Sequence, residues 1–130
     1  MSIFDFQPHD EMTVGEYKKH AETLQKPKPI ADHRLNLVID RIKTWHYDRN
    51  LIDGATDKDQ VCKLIQEVGE LSDNVCKEKD IADDIGDIMV VLINIMVRNG
   101  ISMEHCLEVA YHDIKDRKGK MIDGIFIKEA

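Results

Sequence analysis

Two pairs of carboxylates stand at helical spacing in the middle of this 130-residue chain: Glu67 and Glu70 in "QEVGEL", and Asp84 and Asp87 in "DDIGDI". Side chains three apart on a helix leave it on one side, about one turn from each other, so each pair presents two carboxylates together. The chemistry that uses such a set is divalent-cation binding. Mg2+ is a hard ion that takes an octahedral set of oxygens, which carboxylates and substrate phosphates can supply. Without an ion, four clustered carboxylates repel one another and some must protonate. A single acidic pair at this spacing is ordinarily a solvated face, and Asp80, Asp83 and Asp84 also suit the positive N-terminus of a helix. Two pairs on successive helices, each bordering an apolar stripe, keep a metal site in contention. Gly69 and Gly86, beside the second carboxylate of each pair, would let helices or a ligand approach closely.

The elements that must position these residues read as helices almost throughout. Thr13 and Glu16 have capping-box spacing and open a short helix over about 13–24, which Pro27 and Pro29 break. A second helix over about 32–49 carries Leu35, Val38, Ile39, Ile42 and Trp45 along one face. After a turn centred on Asp53-Gly54, Thr56 or Asp57 caps a third helix whose stripe is Val61, Leu64, Ile65, Val68, Leu71 and Val75. That stripe is close to a heptad seam and needs a partner helix. The fourth helix, about 80–99, is apolar nearly all round and must be surrounded. Its Val90, Ile93 and Val97 side is the hardest to cover within one chain, which predicts a homodimer or homotetramer. Gly100 ends it, and Ser102 starts a fifth helix running to about 118, striped by Met103, Leu107, Ala110, Tyr111 and Ile114. The expected architecture is all-α, a four- to five-helix bundle in one domain: an N-terminal helix and linker over 1–31, a core over 32–120, and a tail over 121–130 compatible with extended backbone. If the third and fourth helices pack antiparallel across the short "CKEKD" link, the two acidic ridges come face to face.

Composition narrows the function. A net charge of −7, from 25 acidic against 18 basic residues, argues against a general nucleic-acid-binding surface. The acid is concentrated: residues 51–87 hold eleven acidic residues against four lysines, whereas "KDRKGK" at 115–120 has four bases and one acid. Lys115, Arg117, Lys118 and Lys120 complement a helix C-terminus, and would equally suit a polyphosphate facing a carboxylate-bound ion. Cys62, Cys76 and Cys106 are odd in number and lack metal-knuckle spacing, so reduced thiols packed as small apolar groups are expected. No secretory leader or membrane-spanning run is legible, which predicts a cytoplasmic protein with no membrane partner.

The segments "KLIQEVGEL", "DDIGDIMVVL" and "AYHDIKDRKGK" resemble the MazG-like all-α nucleoside triphosphate pyrophosphohydrolases, and the likeness extends over about 45–129. The family pattern is E-x-x-E on one helix and E-x-x-D on the next, here Glu67-x-x-Glu70 and Asp84-x-x-Asp87. The resemblance implies hydrolysis of a nucleoside triphosphate between the α and β phosphates, with Mg2+ as cofactor and Mn2+ as a substitute. It implies that Glu67, Glu70, Asp84 and Asp87 hold the metal and form the catalytic set, with one glutamate orienting or deprotonating the attacking water. Lys115 and Lys118 would neutralise phosphate charge, and His112 would contribute a polar contact. Trp45, on the preceding helix, is the candidate to border the base, although a Trp in an amphipathic stripe is also a core residue.

Three positions depart from the family pattern. Asp84 stands where Glu is usual, one methylene shorter, so it requires closer helices or a bridging water. Gln66 removes a ligand where a second Glu is common, and His112 replaces an Asn with a titratable ring. The expected function is nucleotide-pool house-cleaning on standard or damaged nucleotides. The alternative is a non-catalytic helical oligomer, a nucleotide sensor or interaction protein with a structural cation site.

Overall fold

A computed structural model describes residues 33–130. The expected helix over 13–24 and the Pro27/Pro29 break lie outside the described residues. The described chain is mostly helical: α1 (His33–Asp48), α2 (Asp57–Cys76), α3 (Ala82–Arg98) and α4 (Met103–Ile114), followed by strands β1 (Gly119–Ile122) and β2 (Ile125–Lys128).

The α1–α2 turn is built locally. Asn50 adopts a left-handed conformation, and Gly54 is required because a Cβ there would run into the Asn50 carbonyl and carboxamide. Thr56 then caps α2 with a complete capping box. Its hydroxyl accepts from the Asp59 backbone N–H, and the Asp59 carboxylate accepts from the Thr56 N–H at 2.9 Å. The Thr56 N–H and the Thr56 hydroxyl, both donating to the Asp59 carboxylate, hold that carboxyl below its usual range. α3 begins at Ala82 rather than Asp80. Asp80 Oδ1 accepts from the Ala82 N–H at 3.1 Å, so Asp80 shapes the turn that enters the helix.

α2 and α3 form the main packing pair, with α1 laid against α3. The pair is antiparallel. Asn74 near the end of α2 meets Asp84 at the start of α3, and Asp57 at the start of α2 meets Arg98 and Asn99 at the end of α3. Those two donors, Asn99 first, hold the Asp57 carboxyl low.

The stripes fall differently from expectation. The α2 face turned to α3 is Gln60, Leu64, Glu67, Leu71 and Asn74, which runs at heptad spacing and carries the buried Glu67. The adjacent seam, Val61, Ile65, Val68 and Val75, is exposed. On α1 the covered positions are Ile39, Ile42, Lys43 and His46, whereas Leu35, Val38 and Trp45 are exposed. The Val90, Ile93 and Val97 side of α3, expected to be the hardest to cover, is covered: Ile93 is 2% exposed and the other two are half-buried. Ile85 and Met89 are the exposed apolar residues of that helix instead. The reason is that α1 packs on α3, with His46 hydrogen-bonded to the Val90 carbonyl and to Asn94. Cys62 and Cys76 are free and exposed, not packed, and Cys106 is free and half-buried.

At the centre lies a polar cluster. The His46 ring is 2% exposed and Asn94 fully buried. His46 Nε2 donates to the Val90 carbonyl at 2.9 Å, and Asn94 Nδ2 donates to His46 Nδ1 at 3.3 Å and to the Leu51 carbonyl at 3.0 Å. One amide thereby ties α1 and the following loop to α3. The Arg98 guanidinium also donates to the Ile52 carbonyl in that loop.

α4 departs from α3 at 100° and ends at Ile114, not near 118. Asp113 in its last turn pairs with Arg117, just beyond its end, at 2.7 Å. The tail is a hairpin. Asp123 and Gly124 both take positive φ, the requirement of a two-residue turn whose twist matches the strands. Gly119 pairs with Lys128 and Met121 with Phe126. A side chain at Gly119 would meet the Phe126 ring and the Ile127 carbonyl. Among the described residues, α4 and the hairpin form no substantial interface with α1–α3, and no single helix is long and apolar enough to cross a membrane.

Replacing Asn94 with Ala strands a buried ring nitrogen and the part-buried Leu51 carbonyl, so denaturant unfolding is expected to show a loss of about 1–3 kcal/mol. An unchanged midpoint and slope would contradict the role given to this amide.

Candidate metal centre

The antiparallel pairing brings Glu67 and Glu70 from α2 together with Asp87 from α3. One carboxylate oxygen of each lies within 4.8 Å of the others. Their burial is graded, with Glu67 buried, Asp87 intermediate and Glu70 exposed. The site therefore has a floor in the interhelical seam and a mouth in solvent.

Asp84 is not a member of this group. It is 7% exposed, and both its oxygens accept from Asn74 Nδ2, at 3.1 and 2.9 Å. Its negative charge nevertheless bears on Glu70 and Asp87. The shorter side chain is thus held at the end of the helix pair, where it adds to the field of the cluster and fixes the register.

The electrostatics are those of a set short of cations. Glu70 has its carboxyl raised above the usual range, first by hydrogen bonding to Glu67 and by Glu67's charge. Asp87 is raised by burial and by the charges of Asp83, Glu67 and Asp84. Lys63 offsets part of this: its Nζ lies 3.0 Å from Glu67 Oε1, and that contact raises the lysine's own affinity for its proton. Glu67 Oε2 is buried with no hydrogen-bond partner. Buried carboxylate oxygens are costly unless paired, so a proton or a cation at this position would complete the set. An all-oxygen donor group on two rigid helices, with one buried orphan oxygen and an open mouth, fits a hard divalent ion.

The remaining candidates are placed elsewhere. Trp45 is 43% exposed, with the Arg49 guanidinium 4.5 Å from its ring centroid and the His46 ring edge-on at 5.3 Å. It is neither a core residue nor part of the cluster. His112, Lys115 and Lys118 are exposed on or just beyond α4, and the separation of α4 from the bundle does not bring them to the carboxylates within one chain. Lys118 borders an open depression with Asp113, Asp116, Arg117, Lys128 and Glu129, whose three acids and three bases concentrate no positive charge. Gly69 and Gly86 face open space, so neither serves close packing of the helices within the chain. Sequence reasoning missed Lys63 and Asn74. Lys63 stands four residues before Glu67 and Asn74 seven after it, so both share Glu67's face.

No family model and no solved structure matches the chain. Over 69 residues it is 41% identical to the "Uncharacterized 18.2 kDa protein in rep-hol intergenic region" of Haemophilus phage HP1 (strain HP1c1). That alignment covers 52% of this chain and 42% of the phage protein. The chain thus matches less than half of that relative's length.

The raised carboxyls set the sign of a pH effect. Glu70 and Asp87 hold protons more tightly when folded, so between their ordinary and raised values the native state binds more protons. Their contribution to stability is then lost as pH rises through that window. A divalent ion acts in the opposite sense, since it binds the ionised set. Thermal melts with saturating Mn2+ are expected to rise by several degrees near neutral pH, from about 2–3 kcal/mol of linkage at 100-fold excess over Kd. The increment should vanish at pH 3–4. An increment independent of pH would place the ion elsewhere.

Proposed function

We propose that the chain is a Mg2+-dependent nucleoside triphosphate pyrophosphohydrolase of the MazG-like all-α type. The single observation that carries this reading is the convergence of Glu67, Glu70 and Asp87 from two antiparallel helices within 4.8 Å, at the positions that the family resemblance assigns to metal. A bound ion would supply charge neutralisation for phosphoryl transfer, with Mn2+ as a substitute for Mg2+.

The chain's own residues have distinct tasks. Glu67 and Asp87 hold the buried side of the ion site, and Asn74 fixes Asp84 behind it. Glu70 is exposed, and its raised affinity for a proton suits it to take one from the attacking water. The water oxygen bonds to phosphorus, the P–O bond bridging the α and β phosphates breaks, and the products are the nucleoside monophosphate and pyrophosphate. Trp45 supplies an exposed aromatic face for a base. His112, Lys115 and Lys118 are assigned to phosphate contacts contributed from a second copy of the chain.

That last assignment makes the active form a homo-oligomer, a dimer or a tetramer. The supporting observation is the uncovered seam of α2, where Val61, Ile65, Val68 and Val75 are 44–67% exposed, beside Ile85 and Met89 of α3. The alternative, a nucleotide-sensing or interaction protein with a structural cation, is favoured by the same separation of Lys115 and Lys118 from the carboxylates. We further infer a cytoplasmic site of action in nucleotide-pool house-cleaning.

Incubation with a panel of NTPs and dNTPs plus Mg2+ is expected to yield monophosphate and pyrophosphate. Glu70→Ala should lower turnover by at least about 100-fold. No turnover of any nucleotide by the unaltered protein, with the metal bound, would sink the enzyme and leave the sensor. For assembly, light scattering at micromolar concentration should give at least twice the chain mass. Val68→Glu, which adds charge to the outer seam without touching the α2–α3 face, should give a smaller species; a monomeric unaltered protein would refute the oligomer.

A further inference from the structure

Lys63 stands one turn before Glu67 on α2, its Nζ 3.0 Å from Glu67 Oε1 and 3.4 Å from the Gln66 side-chain oxygen. The side chains differ sharply in exposure, 50% for Lys63 and 8% for Glu67. The ammonium therefore reaches from solvent onto the buried floor of the carboxylate cluster. It also feels the charges of Glu70 and Asp87. One positive charge thus faces three converging carboxylates, and it leaves Glu67 Oε2 buried and unpartnered. That orphan oxygen is an observation independent of the clustering. A proton or a cation there would complete its pairing.

Resting on the metal-centre reading above, we propose that Lys63 is a built-in counter-cation. It occupies Glu67 in the metal-free protein and is exchanged off when a divalent ion enters the cluster. The exchange is physically easy in one direction. A lysine ammonium is a compact, strongly hydrated charge on a flexible stem, and a half-exposed ion pair contributes little once solvent screens it. A divalent ion offers twice the charge and several coordination positions, and so engages Glu67, Glu70 and Asp87 together. With the ion bound, an ammonium held on the same carboxylate would be repelled by it. Lys63 therefore raises the ion concentration needed to fill the site. Once displaced, it stands about one turn from the ion, where the anionic end of a polyphosphate would meet it. Gln66 contributes by being neutral: its amide oxygen is a weak acceptor for the displaced ammonium, where a carboxylate would add another competing charge.

The test is a Mn2+ titration of the full chain without nucleotide, read from the loss of the free-ion signal in electron paramagnetic resonance. Lys63→Gln is expected to bind Mn2+ about two- to tenfold more tightly than the unaltered protein, the range set by one partly screened charge. Lys63→Arg keeps the charge and should stay near the unaltered affinity, while Glu67→Gln should bind more weakly. Far-UV circular dichroism of each variant verifies that the helices are retained. If the unaltered protein binds Mn2+ and Lys63→Gln binds it no more tightly, the exchange is overturned and the metal centre stands. If neither takes up Mn2+, the metal centre falls and the exchange falls with it.

Discussion

Asn74 donates to both carboxylate oxygens of Asp84 at one end of the α2–α3 pair, while Asp57 accepts from Arg98 and Asn99 at the other. These two polar clasps fix the register in which the helices lie, and the position of every acidic side chain between them follows. A slip of one residue rotates a helical face by about 100° and would carry Glu67 out of the seam. Glu67, Glu70 and Asp87 meet because the clasps hold opposite ends of two rigid helices of 20 and 17 residues.

That register has an electrostatic cost. Three carboxylates within 4.8 Å repel, and the chain answers only in part: Lys63 pairs with Glu67, and Glu70 and Asp87 respond by holding protons more tightly. In the buried His46–Asn94 cluster the ring and the amide nitrogen are paired and pin α1 to α3, while Asn94 Oδ1, like Glu67 Oε2, is buried without a hydrogen-bond partner among the described residues.

The covered and uncovered apolar surfaces also divide along this pair. α2 carries two seams one residue out of phase, an inner one that includes Glu67 and Asn74 and an outer one of exposed valines and isoleucine. A broad apolar stripe on a single helix cannot announce which half faces its own chain. The helix positions to within a few residues and an N-cap at Thr56 or Asp57 were legible because they depend on local spacing; the full capping box at Thr56 was not read, and the antiparallel pairing was only a conditional expectation. The hairpin was not read as one, although Asp123-Gly124 between apolar residues carries a strong turn signal. Its strands are four residues each, too short for an alternating pattern to stand out beside helical neighbours.

By itself the sequence determined the mostly helical class, the order of the four helices over the described residues and two acidic pairs at helical spacing. Those follow from periodicity, capping chemistry and residue spacing. Tertiary structure alone decided which of the four carboxylates converge. Asp84 and Asp87 lie one turn apart on α3, yet Asn74 from the facing helix claims Asp84, leaving Asp87 to the group. The two acidic pairs of the sequence thus become an asymmetric triad with a separate anchoring carboxylate. The physical reason is that a hydrogen-bond donor supplied across the helix pair, which no spacing along one helix can reveal, selects between two otherwise equivalent side chains.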